Sequence, residues 1–235
     1  MSEFVVITGA TGGIGQCVAR QVSVLGYVPV IGHRVHRAIE ARLIADTCGG
    51  LPIVMDMLNL ESIGASVDCL VQDGRSVAGV VLAASPPPLL APFGKITVAD
   101  HTLFWNTNVV GPHCLLAALI RQFFRPRKSG AAVAVLSESM GCVTSGIAAR
   151  SAMSGMGAYT ISKFGLQGLM AQLEAEFAWL TVSCVVPGFT ETAMLKAFDE
   201  RFLDLLRAQQ KFSCPEDIAT EIVSRLGLKS LIAPS

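Results

Sequence analysis

Charged residues are scarce in this chain: they make up 15% of its 235 residues, and 18 Lys and Arg are balanced by 18 Asp and Glu. Neither sign forms a long run, so the sequence lacks the basic surface that binds nucleic acid or an anionic membrane. Hydrophobic residues make up 51%, which is typical of a heavily buried α/β domain and not of a disordered segment. The composition therefore favours a small-molecule partner.

A metal-binding pattern is also absent. The seven cysteines are scattered, without a C-x-x-C pair or zinc-like Cys/His spacing, so we interpret them as core residues in a reducing compartment. No signal-peptide pattern precedes the first strand-like run. No apolar stretch reaches the ~20 residues that span a bilayer. We therefore expect a cytoplasmic protein without a metal and without membrane contact.

Six strand-like runs alternate with helical patterns along the chain. The predicted strands are residues 4–8, 28–31, 53–55, 77–83, 131–136 and 182–186. The main predicted helices are residues 38–47, 100–124, 159–178, 194–210 and 218–226. This alternation, without a repeat or linker, is typical of parallel strands joined by crossover helices. We predict an α/β fold, with residues 1–235 forming one Rossmann-type doubly wound domain that has a mainly parallel sheet and helices on both faces.

A glycine-rich turn joins the first strand to the first helix. It contains Gly9, Gly13 and Gly15, with Thr11 and Ile14 between and beside them. Between a strand and a helix, glycines permit a tight turn and let backbone N–H groups approach a pyrophosphate at the helix N-terminus. The turn therefore predicts a dinucleotide site.

The second strand is followed by basic residues. His33 and Arg34 come directly after it, Arg37 is nearby, and no acidic residue occurs before Glu40. At this place in a dinucleotide fold, Asp or Glu binds the ribose 2′-OH, whereas Arg pairs with a 2′-phosphate. The pattern favours NADP(H) over NAD(H); the alternative is an ordinary exposed basic loop.

Tyr159 and Lys163 lie four residues apart at the start of a predicted helix. This spacing places both side chains on one helix face, one turn apart. A phenol titrates near pKa ~10, and a neighbouring cation lowers that pKa. The pair therefore indicates acid–base chemistry, unless it lies on a solvated helix face.

Together these features resemble the short-chain dehydrogenase/reductase family. The matching motifs, in the family's order over nearly the whole chain, are Thr8-Gly9-x-x-x-Gly13-x-Gly15, Asp56, Asn108, a Ser at the end of strand 131–136, Tyr159-x-x-x-Lys163 and Pro187-Gly188-x-x-x-Thr192. The resemblance implies an oxidoreductase of ketoreductase type, which binds NAD(P)(H) and interconverts carbonyls and secondary alcohols.

The resemblance also implies roles for individual residues. Tyr159 would be the general acid or base, Lys163 would lower its pKa and hold the nicotinamide ribose, Ser137 would bind the substrate oxygen, and Asn108 would hold a proton-relaying water. The implied cofactor contacts include the glycine turn, the basic residues and the Tyr/Lys pair. Further contacts are Asp56 and Met57 at the adenine, Ala83 and Ala84 after the fourth strand, and Pro187, Gly188, Thr190 and Thr192 at the nicotinamide.

The substrate serine has rival candidates. Counting forward along the strand from Gly130 gives Ser137, whereas counting back from the next glycine gives Glu138, with Ser139 one step away. Spacing from the tyrosine favours Ser145 instead. We prefer Ser137 because a strand end positions a side chain better than a loop does.

A second departure from the family lies after the fourth strand. Residues 82–85 read Leu-Ala-Ala-Ser where family members commonly have Asn-Asn-Ala-Gly, so the usual asparagine contacts are missing. This keeps a second function open: a catalytically silent dinucleotide-binding sensor or partner subunit. A third, dehydration or epimerisation of a sugar nucleotide, is disfavoured because the chain is short for that form of the fold.

Family members commonly dimerise through helices that correspond to residues 100–124 and 159–178, and form tetramers through a final strand. Residues 227–235 lack that strand pattern apart from a stub at 231–233, so we expect a homodimer and not a tetramer. The substrate-loop region, about 190–214, carries an apolar stripe that either lines a pocket or packs in the core. Its members are Met194, Leu195, Phe198, Phe202, Leu205 and Leu206.

Overall fold

The computed structural model describes residues 2–141 and 152–231. Six parallel strands form one sheet in the order β3-β2-β1-β4-β5-β6. Their bounds are β1 Phe4–Thr8, β2 Val28–His33, β3 Leu51–Val54, β4 Val77–Leu82, β5 Ala131–Val135 and β6 Thr181–Val185. The order reverses between β1 and β4, and in doubly wound sheets ligands bind at the carboxyl ends of the strands beside this point. The predicted α/β fold is confirmed.

Helices cover both faces of the sheet. They are α1 Gly13–Val24, α2 Ala38–Cys48, α3 Leu60–Asp73, α4 Val98–Trp105, α5 Gly111–Leu119, α6 Arg125–Arg127, α7 Gly157–Glu176, α8 Glu200–Gln209 and α9 Pro215–Leu226. On one face, α1, α2 and α9 pack over the sheet, and on the other face α3, α5 and α7 do so.

The first strand shows why its sequence is apolar throughout. All five residues of β1 are buried. Val5 and Ile7 belong to the core under α1, α2 and α9, whereas Phe4 and Val6 belong to the core on the opposite face. Alternate side chains of a strand point to opposite faces, so a strand covered on both faces needs apolar residues at every position.

One long helix differs from its prediction. Two π-helical turns, Asn106–Val110 and Ile120–Phe124, join α4, α5 and α6 into a continuous helix over Val98–Arg127. The first π turn contains Asn108. The helix is long and apolar enough to cross a membrane, so the prediction that no segment reaches that length is wrong. Half of its most apolar window is buried inside the protein, as in the core helix of a globular domain.

The predicted helix 194–210 is interrupted. A 3₁₀ turn spans Ala193–Ala197, Phe198 is extended, and α8 begins only after Asp199. The Asp199 carboxylate accepts hydrogen bonds from the backbone N–H groups of Arg201 at 3.0 Å and Phe202 at 3.3 Å. This cap satisfies free N–H groups of a new helix start, which explains the break. The predicted strand stub at 231–233 lies largely outside the described residues.

Candidate functional site

A cleft of about 570 Å³ lies at the carboxyl ends of the strands. It brings together residues predicted for the cofactor and for catalysis from seven separate segments of the chain. Those that line it are Gly9, Thr11, Gly13, Ile14, Gly15, His33, Arg34, Asp56, Met57, Ala83, Ala84, Ser137, Tyr159, Lys163, Pro187, Gly188, Thr190 and Thr192. Asn108 is fully buried and does not line it.

The glycine turn packs tightly against the end of β4. Gly9 has φ +65°, and a Cβ there would lie 2.7 Å from the Ala84 Cα. A Cβ on Gly15 would lie 2.5 Å from the Gly9 carbonyl oxygen. Only glycine fits such a close backbone approach. A side chain at either position would collide with main-chain atoms and displace the turn. In the tight turn that glycine permits, backbone N–H groups can approach a pyrophosphate, so this turn fits a dinucleotide.

Thr8 holds the unusual segment after β4 in place. Its hydroxyl oxygen accepts hydrogen bonds from the backbone N–H groups of Ala83 and Ala84, both at 3.1 Å. The same hydroxyl lies 3.3 Å from the Val81 carbonyl oxygen, to which it donates. The Thr8 hydroxyl thus fixes the end of β4 through bonds to its backbone groups, without an asparagine side chain. The sequence prediction included Thr8 in the motif but did not assign it this role.

The basic residues at the carboxyl end of β2, predicted to meet the adenosine, are not equivalent. His33 is buried, and its Nδ1 lies 3.0 Å from the Arg34 carbonyl oxygen. Arg37 pairs with Glu40 at 2.8 Å. Arg34 has no ion pair with the described residues, and it lines the cleft. Arg34 is therefore the guanidinium available to an anionic ligand here.

The third strand leads into a turn that orients Asp56. One carboxylate oxygen accepts a hydrogen bond from the Leu58 backbone N–H at 3.0 Å, and the Asp56 N–H donates to the Ser62 hydroxyl at 3.1 Å. The second carboxylate oxygen has no hydrogen-bond partner among the described residues. It can accept a hydrogen bond from an amino group of a bound base.

Ser137 lies beside Tyr159 in the cleft. The two side chains are hydrogen-bonded. Ser137 also accepts a hydrogen bond from the Ser139 backbone N–H at 3.2 Å, which fixes its position at the start of a 3₁₀ turn. The Ser139 hydroxyl is buried without a partner among the described residues, and Ser145 lies outside them. Of the rival serines with described positions, Ser137 is the one that meets the tyrosine.

Lys163 is buried directly beside this pair. Its ammonium donates a hydrogen bond to the Val135 carbonyl oxygen at 2.8 Å and lies 5.5 Å from the centroid of the Tyr159 ring. Burial lowers the pKa of Lys163 to about 8, because a low-dielectric site disfavours the charged form. An amine with this pKa exchanges protons close to neutral pH.

The predicted lowering of the Tyr159 pKa by Lys163 is not what this arrangement produces. Burial raises the pKa of Tyr159, and the hydrogen bond with Ser137 offsets only part of that increase. Lys163 is itself desolvated, and among the described residues its ammonium bonds to a backbone carbonyl and not to the phenol oxygen. The helical spacing correctly predicted that Tyr159 and Lys163 lie close together. The direction of the Tyr159 pKa shift is decided by burial.

Asn108 lies behind the cleft in a buried chain of hydrogen bonds. Its Nδ2 donates to the Ser162 hydroxyl at 2.8 Å, and that hydroxyl donates to the Tyr159 carbonyl oxygen at 2.7 Å. The Asn108 Oδ1 is buried without a hydrogen-bond partner among the described residues. Sequence reasoning missed Ser162, although a hydroxyl residue directly before Lys163 was a signal that could have found it.

The apolar stripe of the substrate-loop region divides into two parts. Met194, Leu195 and Phe198 line the cleft, as do Phe189 and Met156 from neighbouring segments. The stripe's remaining three residues, Phe202, Leu205 and Leu206, do not line it. Of the two alternatives, pocket wall or core packing, the half of the stripe that precedes α8 forms a pocket wall.

The sequence is similar to a known protein family and to individual proteins. A family model described as short chain dehydrogenase matches residues 3–202. The chain is 28% identical over 240 residues to the 3-oxoacyl-[acyl-carrier-protein] reductase of Aggregatibacter actinomycetemcomitans, covering 98% of this chain and 94% of that protein. It is 29% identical over 202 residues to the human mitochondrial dehydrogenase/reductase SDR family member 2, covering 82% and 67%.

Solved structures share the fold. An actinorhodin polyketide ketoreductase variant with NADPH superposes with a TM-score of 0.83 at 20% identity, covering 97% of this chain and 94% of that chain. A gluconate 5-dehydrogenase from Burkholderia cenocepacia, in complex with NADP and tartrate, superposes with a TM-score of 0.81 at 20% identity, covering 98% and 89%.

Proposed function

Because the chain belongs to the short-chain dehydrogenase family, whose members are oxidoreductases, we propose that it interconverts a carbonyl and a secondary alcohol with NADP(H). The observation that carries this proposal is the grouping of Ser137, Tyr159 and Lys163 at one end of the cleft whose other end is the glycine turn. In the proposed reaction Tyr159 is the proton donor and Ser137 the hydrogen-bond donor to one substrate oxygen.

In this proposal the bound cofactor supplies or accepts the hydride, and the chain's own residues hold and move the proton. The turn at Gly9 and Gly15 would hold the pyrophosphate. The Ser137 hydroxyl orients the substrate oxygen, and the Tyr159 hydroxyl gives that oxygen its proton in the reducing direction. Lys163, with a pKa of about 8, is suited to restoring the proton, and Asn108, which bonds to Ser162, would hold the water that relays it.

The experiment is to mix the purified protein with NADPH and a panel of uncharged ketones and aldehydes, and to follow NADPH consumption and alcohol formation. Turnover of any panel member supports the oxidoreductase. The alternative, a silent sensor or partner subunit, is motivated by the residues Leu-Ala-Ala-Ser at 82–85. It predicts that calorimetry detects NADPH binding while no carbonyl is reduced.

The NADP(H) preference is proposed from Arg34, which lines the cleft without an ion-pair partner among the described residues. Two similar folds were solved with NADP or NADPH, which supports the same preference. We expect Arg34→Ala to weaken NADPH binding roughly 10-fold or more, since hydrogen bonds to charged groups contribute about 1.5–3 kcal/mol, while NADH binding stays unchanged. Arg37→Ala is the matched control because Arg37 is already paired with Glu40. Equal losses for NADPH and NADH would contradict the proposal.

A homodimer is proposed through the outer face of α4 and α7. Trp105, Ile161 and Phe164 are each between 38% and 44% exposed on these two helices, which pack against each other. Contiguous apolar exposure of this kind marks interaction surfaces. Phe164→Asp should shift the protein to a monomer in sedimentation velocity. Ile39→Asp, at an exposed apolar residue of α2, should not; a wild-type monomer would refute the proposal.

A further inference from the structure

One carboxylate lies at the catalytic end of the cleft. Glu138 follows the site serine, and its backbone N–H donates to the Pro187 carbonyl oxygen at 2.9 Å. Its carboxylate packs against Gly188, because a Cβ on that glycine would lie 2.6 Å from Oε2. Glu138 has no ion pair with the rest of residues 2–141 and 152–231. Its negative charge is therefore not neutralised by the described part of the chain.

The other charged residues that line the cleft are placed differently. The second acidic lining residue, Asp56, follows β3 and bonds to a backbone N–H there. Arg34 and Arg37 follow β2 at the adenosine end. Lys163 is 2% exposed and bonds to a backbone carbonyl. Among the described lining residues, Glu138 thus presents an exposed charge close to the reacting groups.

Other walls of the same cleft are apolar and aromatic. Phe189 and Phe198 line the cleft with ring centroids 5.4 Å apart, and Met194 and Leu195 line it next to them. Apolar walls reduce the dielectric screening of a charge, and aromatic faces attract cations. An unpaired carboxylate in a cleft that also has aromatic walls favours a substituted ammonium group and disfavours an anion.

We propose that the substrate carries a protonated amine or quaternary ammonium group near its reacting carbon, and that Glu138 pairs with this cation. This rests on the proposed function, since it assigns a substrate class to the same cleft. It also excludes a class: substrates with a carboxylate or phosphate close to the carbonyl meet like-charge repulsion from Glu138.

A binding experiment tests the ligand class without requiring turnover. Benzyltrimethylammonium and the uncharged analogue with carbon in place of nitrogen are titrated calorimetrically into the full chain, with and without NADP⁺. We expect the cation to bind roughly fivefold more tightly, as for a partly exposed charge pair. Glu138→Gln should abolish that ratio, Glu138→Lys should invert it, and Glu61→Gln on α3 should leave it intact. Equal affinity of the wild type for both probes overturns the proposal.

A turnover experiment separates this inference from the proposed function. An aromatic ketone with a trimethylammonium substituent is compared with its uncharged tert-butyl isostere, using the ratio of their kcat/KM values. A ratio that falls about fivefold in Glu138→Gln supports the pairing, and an equal ratio in wild type and variant overturns it. If neither ketone reacts while the cationic probe still binds preferentially, the oxidoreductase proposal fails and the ligand class stands.

Discussion

Replacing Gly9 with alanine tests the close approach of the glycine turn to β4. Two costs combine at this position. A non-glycine residue at φ +65° costs about 1–2 kcal/mol. A Cβ 2.7 Å from the Ala84 Cα and 2.8 Å from its backbone N overlaps main-chain atoms, and overpacking of this kind costs about 1–3 kcal/mol. Gly9→Ala should therefore lose about 2–5 kcal/mol of unfolding free energy, a large share of the ~5–15 kcal/mol typical of a domain.

Gly49→Ala is the matched control. Gly49 has nearly the same backbone angle, φ +61°, but a Cβ there meets nothing within 4 Å, so it should lose only the ~1–2 kcal/mol of the φ penalty. Urea unfolding of wild type and both variants measures the two losses. NADPH titration should show that Gly9→Ala, but not Gly49→Ala, loses nucleotide affinity. Equal destabilisation by both variants would refute the claim that the turn and β4 are in backbone contact.

Two further predictions concern the buried polar groups. Burial lowers the pKa of Lys163 from 10.5 to about 8, so the unfolded chain binds more protons than the folded chain between these pH values. The stability of the wild type should therefore rise relative to Lys163→Met as the pH increases from 8 to 10. Urea-unfolding free energies of the two proteins that stay parallel over this pH range would contradict this. Ser162→Ala leaves the Asn108 amide buried and unpaired, which should cost about 1–3 kcal/mol and shift the pH–rate profile. Thr160→Val is the control, because it removes a buried hydroxyl that has no partner among the described residues. An equal loss of unfolding free energy in both variants would argue against the Ser162 bridge.

Local sequence patterns predicted those parts of the fold in which apolar positions in the sequence are also buried in the structure. The β1 run is apolar at every position because both of its faces are covered. The glycine turn was predictable because glycines directly between a strand and a helix form a local sequence pattern. The break between Ala193–Ala197 and α8 was not, since the apolar spacing continues across Phe198 and only the Asp199 cap interrupts it.

The site was less predictable where distant segments meet. The bond from Asn108 to Ser162 joins residues 54 positions apart, and no local pattern in either helix specifies it. The contact of the Glu138 carboxylate with Gly188 likewise depends on the adjacency of β5 and β6. The pKa of Tyr159 depends on burial from several elements, whereas sequence spacing shows only which residues share a helix face.

The most direct test of the central claim is the activity of Tyr159→Phe with NADPH and whichever ketone the wild type reduces. Loss of the phenol proton donor should lower kcat by roughly 10²–10⁴-fold, while the NADPH dissociation constant from calorimetry stays within about twofold, since only one hydroxyl is removed. Tyr27→Phe removes the hydroxyl of the sequence's other tyrosine, which bonds to the Lys229 carbonyl oxygen, and should retain full activity. Unchanged turnover in Tyr159→Phe would contradict the account.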